Sequence, residues 1–99
     1  MEQINSIGYI PPRTLARYKR QAELANLKVT TAAGNTFDAN EVSQDRLSRA
    51  VVAMQISQLT QLSWVLADNT TIQATLAELS EALALAVQAQ TDLWVPQQP

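Results

Sequence analysis

Between Pro12 and Pro96 the chain has one glycine, Gly34, and no proline, so long stretches are free to be helical and most turns must use other residues. Only two short blocks break the helix-forming pattern. In the first, Val29-Thr30-Thr31 is β-branched, Ala32-Ala33-Gly34-Asn35 can turn, and Thr36-Phe37-Asp38 resumes an extended pattern. In the second, Leu62 to Leu66 reads as a strand, Ala67-Asp68-Asn69-Thr70 as a turn and Thr71-Ile72-Gln73 as the returning strand. Each block predicts a hairpin, and three helical stretches surround them.

The paired Pro11-Pro12 fixes extended backbone, so residues 1–12 read as an arm, with Pro12 also acceptable in a first helical turn. Helix one is expected over Arg13 to Leu27, with Leu15, Tyr18, Ala22 and Ala25 as a narrow apolar stripe. Asn40 can cap helix two, Glu41 to about Gln58, with Ser43 as a competing cap; Leu47, Val51 and Met54 form its stripe, and Val52, Ile56 and Leu59 lie to the side. Thr75-Leu76-Ala77-Glu78 has capping-box spacing, which starts helix three. Leu76, Leu79, Leu83, Val87 and Trp94 run down one stripe of that helix, and Ala82, Leu85, Ala89 and Leu93 down a second, with Glu81, Ala84, Gln88 and Thr91 wet. Two apolar stripes mean contact on two sides, with the domain's own sheet and with a partner or a second copy through helix three. Val95-Pro96 ends the helix, leaving 96–99 as a disordered tail. The runs from Ala33 and from Ala67 align with one gap, each a turn and strand before a helix, so the body reads as two ββα units. The expected fold is one small α+β domain over residues 13–95, in helix-hairpin-helix-hairpin-helix order, with a short antiparallel sheet packed by helices.

Ninety-nine residues allow a single core. Apolar residues are 46% of the chain, enough for that core although 15 are alanine. Cysteine and histidine are both absent, which removes disulfides and the ordinary zinc, haem and iron–sulfur ligand sets, so no cofactor is expected. The longest apolar run, Ala82 to Val87, is far below the roughly 20 residues of a membrane span, and the N-terminus lacks the basic region of a signal peptide.

The carboxylate pairs Glu41/Asp45 and Glu78/Glu81 could in principle do acid–base work, but they sit near helix starts, where negative charge is favoured for structural reasons. No histidine stands ready to activate Ser43 or Ser48, and no glycine-rich loop could cradle phosphate, so no catalytic residue is assigned. Asp38, Glu41 and Asp45 lack calcium-loop spacing, so no metal ligands are assigned either. Residues 1–28 carry five basic and two acidic groups, and residues 29–99 two basic and seven acidic. Arg13, Arg17 and Arg20 share one face of helix one with Lys19 beside it, yet an overall charge of −2 disfavours nucleic acid. A solvated face, or docking of the acidic remainder of the protein or of a partner, is the better reading; for a partner, Tyr9 and Ile10 serve as apolar anchors and Arg13, Arg17 and Arg20 as the charged contacts. Trp64 and Trp94 are expected to close the two ends of the core.

Phe37-Asp38-Ala39-Asn40, Ser43-Gln44 with Arg46-Leu47, Ser63-Trp64-Val65-Leu66-Ala67-Asp68-Asn69, Leu76 to Leu83 and Gln90 to Trp94 together resemble a domain-of-unknown-function family of tailed-phage and prophage proteins, over about residues 28–95. The resemblance implies a non-enzymatic protein associated with the tail fibre, binding it as an assembly chaperone or as a structural component of the tail. It places the protein in the host cytoplasm during assembly or in the virion tail. It carries over no active-site motif; Ser43, Gln44, Arg46, Trp64, Asp68 and Asn69 match the family pattern as fold-forming residues. The alternative is a small prophage regulator or inhibitor that binds nucleic acid or a host protein.

Overall fold

A computed structural model describes residues 12–94, with side chains in the first helix from Lys19 onward. Three helices and two antiparallel hairpins follow in the expected order: α1 (Pro12–Ala25), β1 (Lys28–Thr30), β2 (Thr36–Asp38), α2 (Glu41–Ser57), β3 (Gln61–Val65), β4 (Thr71–Thr75) and α3 (Leu76–Trp94). The arm, residues 1–11, and the tail, 96–99, lie outside the described residues. Helix α1 takes in Pro12 and stops at Ala25, two residues before Leu27. Asn26 turns its side-chain amide back to the Ala22 carbonyl, and the Leu27 carbonyl accepts the Ala39 N–H, so this end of the helix gives way to contacts with the first hairpin.

The strands make two separate two-stranded ladders, β1–β2 and β3–β4, where one short sheet was expected. One bond joins them, from the Ala67 N–H to the Thr36 carbonyl at 3.0 Å. Their internal geometry is the same. Val29 faces Phe37 and Trp64 faces Ile72, so adding 35 to each residue of the first ladder gives its counterpart in the second. The turns repeat as well: Gly34 N–H bonds Thr31 and Asn69 N–H bonds Leu66, while Thr31 and Leu66 donate to Asn35 and Thr70. Gly34 and Asn69 hold positive φ, 90° and 69°, as a three-residue hairpin loop of this type requires. The helix caps complete the match, with Ser43 N–H on the Asn40 side chain at 2.8 Å and Glu78 N–H on the Thr75 hydroxyl at 3.1 Å. The ββα repeat is therefore present and needs no gap.

Phe37, Leu47, Ala50, Met54, Leu66, Ala74, Leu79 and Ala82 form the buried core between α2, α3 and the inner faces of both hairpins. Trp64 packs against it half-buried, so the first of the two tryptophans does close the core. Along α3, Leu79 and Ala82 are buried and Leu76 and Leu83 partly so, but Val87 and Trp94 are exposed. Ala86, on neither expected stripe, is fully buried. Of the stripe expected in α1, Leu15 and Tyr18 fall ahead of the described side chains, and Ala22 and Ala25 are exposed; Leu24 is half-buried instead.

The expected capping box forms only in part. Thr75 caps α3, but the Glu78 carboxylate does not return to the cap residue; it accepts the Thr31 hydroxyl at 2.9 Å and the Asn35 amide at 2.8 Å. Glu81, expected on the wet side, is half-buried and accepts the Ala32 N–H at 2.8 Å. Thr31 is 4% exposed, and its hydroxyl needs a partner away from water. Glu78 supplies one.

Candidate binding surface

The three helices meet around a groove of about 350 Å³, lined by Gln21, Leu24 and Ala25 of α1, Asn40, Glu41 and Val42 at the start of α2, and Trp94 at the end of α3. Polar side chains set the groove's edge. The Asn40 amide reaches the Ala25 carbonyl at 3.3 Å, tying the end of α1 to the cap of α2. Gln44 donates to the Ala39 carbonyl at 2.9 Å and to Gln90 at 2.7 Å, and Gln90 donates in turn to the Glu41 carboxylate at 3.1 Å. This chain of amides fixes α2 against α3 and leaves Glu41 at the rim. Beside the groove, the Arg20 guanidinium lies over the Trp94 ring, 5.5 Å from its centroid, a cation–π distance. Trp94 remains 48% exposed and Val42 60%, so the surface is apolar, open and flanked by one guanidinium and one carboxylate.

Of the residues expected to bind a partner, Tyr9 and Ile10 lie outside the described residues. Arg13 and Arg17 fall in α1 ahead of its described side chains. Arg20 is the one the structure places, and it comes together with Trp94, a residue expected to close the core. One signal for the exposure of Trp94 was present: the α3 stripe runs on to Trp94 after the last hairpin, so no strand remains to cover its end; the contact with Arg20 had none.

Residues read for chemistry serve the fold. Glu41, Glu78 and Glu81 each accept a hydrogen bond from another element, and the Asp45 side chain is exposed. Asp68 accepts the Thr70 N–H at 2.9 Å within its own turn, and that backbone bond, helped by the Thr70 hydroxyl, holds its carboxyl below the ordinary value. Ser43 gives its backbone N–H to the cap, Asn69 supplies the positive-φ turn residue, and Arg46 lies with Trp64 along a shallow groove between α2 and β3. Among the described residues, no three carboxylates gather where they could hold one metal ion, and no helix is long and apolar enough to cross a membrane.

Fold and surface together define a small α+β domain built from two hairpin–helix units, with an open aromatic groove at the meeting point of its helices. Residues 12–93 match the family Domain of unknown function (DUF4376), and the chain belongs to that family. No curated protein and no solved structure matches it.

Proposed function

We propose that the protein is a non-enzymatic, tail-fibre-associated component of a tailed phage or prophage, acting as an assembly chaperone or a structural part of the tail. The family match covers all but Trp94 of the residues on which the phage resemblance rests, and among them are cap, turn and core contacts. The observation that carries a binding role is the Arg20–Trp94 pair beside an apolar groove. Arginine and tryptophan are the side chains that most often dominate protein interfaces, and these two are held in place by each other before any partner arrives. The net charge of −2 favours a protein partner over nucleic-acid phosphates.

Co-expression with a phage tail-fibre protein, followed by pull-down, tests the proposal. The full chain is expected to retain the fibre. Arg20→Glu and Trp94→Ala should each weaken retention by about tenfold or more, the scale of a lost hot spot, while unfolding stays cooperative. Removing residues 1–11 separates the contribution of Tyr9 and Ile10 from that of the groove. A full chain that fails to retain the fibre refutes the reading.

A further inference from the structure

The outward face of α2 carries a pattern that the described fold does not use. Val42, Asp45, Arg49, Val52, Ile56 and Leu59 follow one another by alternating steps of three and four, the spacing of a heptad seam. The core takes the opposite side of the helix through Leu47, Ala50 and Met54. Along the seam Val42 is 60% exposed, Val52 50%, Ile56 79% and Leu59 49%, and Asp45 and Arg49 are exposed between them. Val42, Val52 and Ile56 align on this face of α2, which ends at Ser57, and Leu59 is exposed just beyond it; together they form a patch of the kind that marks an interaction site.

We propose that this seam is a homodimer interface in which α2 pairs with α2 of a second copy, antiparallel about a two-fold axis. The charges select both the partner and the direction. A parallel, in-register pair sets Asp45 against Asp45 and Arg49 against Arg49, which repels. An antiparallel pair sets Asp45 against the second copy's Arg49, and the two-fold axis makes that contact twice. In the same register Val42 falls opposite Val52, also twice, so acid meets base and aliphatic meets aliphatic throughout the overlap. In that register Ile56 falls opposite Asp38, ahead of the second copy's helix, and so lies at the edge of the overlap.

Adding 35 to Val52, Ile56 and Leu59 gives Val87, Thr91 and Trp94 of α3. On α3 only the end of this line is met by another helix, Arg20 of α1 lying over Trp94, while Val87 and Thr91 are exposed as their counterparts on α2 are.

Sedimentation equilibrium of the full chain over a concentration series decides the matter. A reversible monomer–dimer equilibrium is expected. Val52→Glu should raise the dissociation constant by about tenfold or more, as should Asp45→Arg or Arg49→Asp alone, and the double exchange D45R/R49D should bring it back to within about threefold of the original. Because these side chains are exposed, helical circular dichroism and the unfolding midpoint of the monomer should change little, so loss of association is not confused with loss of fold. A chain that stays monomeric at every concentration overturns the proposal. So does a dimer indifferent to Val52→Glu, a charge exchange that fails to restore pairing, or a dimer that appears only after removal of residues 1–11, which would assign the seam to the arm.

Discussion

Thr31 and Leu66 open the turns of their hairpins at equivalent positions, both nearly out of reach of water, yet one carries a hydroxyl and the other does not. That difference decides how each hairpin is held. The first turn is bound to α3, with Thr31 and Asn35 on Glu78 and the Ala32 N–H on Glu81. The second turn satisfies itself, with Asp68 accepting the Thr70 N–H, and its Ala67 N–H reaches the first hairpin at Thr36. Glu78 stands where α2 has Ser43, so only one of two equivalent helices carries the side chain that can dock a turn. Core residues divide in the same way. Ala39 and Ala74 are both fully buried, but Phe37, Leu47 and Met54 of the first unit have Ile72, Ala82 and Ala89 as their counterparts. The two units share one small core unequally: Leu66 and Leu79 come from the second unit, but three of the four largest fully buried side chains, Phe37, Leu47 and Met54, come from the first.

Removing that volume should give the largest effect. Phe37→Ala, at a fully buried position, is expected to cost about 3–5 kcal/mol, against about 1–2 kcal/mol for Ile72→Ala, which is only half-buried. Urea unfolding of both variants measures the difference, and equal losses would show that the two units contribute equally to the core. Next in size is the turn clamp. Glu78→Ala removes a charged acceptor from two donors and strands the buried Thr31 hydroxyl, a loss of about 2–3 kcal/mol, whereas Ser43→Ala at the equivalent place should stay within about 0.5 kcal/mol. A double-mutant cycle with Thr31→Val sharpens this: coupling near zero would mean that Glu78 acts through something other than the turn.

The two caps should differ less. Thr75→Ala is expected to cost about 1 kcal/mol, the usual loss for a capping hydroxyl. Asn40→Ala should cost somewhat more, because its amide also ties α1 to α2 through the Ala25 carbonyl. Asn40→Asp keeps the capping oxygen and drops only that tie, so thermal unfolding of the three variants separates cap from inter-helix contact. If Asn40→Asp loses as much as Asn40→Ala, the tie to α1 is the larger part.

Caps and turns were legible in the sequence because each is decided within a few residues. Asn40 and Thr75 stand before helix formers, and Gly34 and Asn69 stand where the backbone must adopt positive φ. The destination of Glu78 was not legible. Its spacing from Thr75 satisfies a capping box, and only the packing of α3 beside β1 brings Thr31 and Asn35 within reach to take the carboxylate instead. Burial of Ala86 has the same origin, since a small side chain shows its position only once another element lies against it. The exposed seam of α2 was visible as an apolar line beside the core stripe, but which of two neighbouring lines faces inward depends on where the hairpins fall. At the groove, Arg20 was legible as a surface cation and Trp94 as a large aromatic. Their contact joins the first helix to the last, and nothing local records it.

The smallest expected effect distinguishes the two turns by pH. Asp68 has Ala33 as its counterpart, so only the second turn contains an ionisable group, and its carboxyl is held below the ordinary value by the Thr70 backbone and side chain. A group whose pKa is lower in the folded chain adds stability while it is ionised in both states. That contribution is present above the ordinary carboxylate value and is lost as pH falls through the lowered one. Asp68→Ala should therefore narrow a small stability gap from the parent chain across that acidic interval and leave the gap constant above it. Because the side chain is exposed, the effect is best read from urea midpoints of parent and variant at matched pH, with the Thr70 amide resonance as a local reporter. A gap that does not change with pH would mean that the Thr70 bond orders the turn without stabilising the ionised carboxylate.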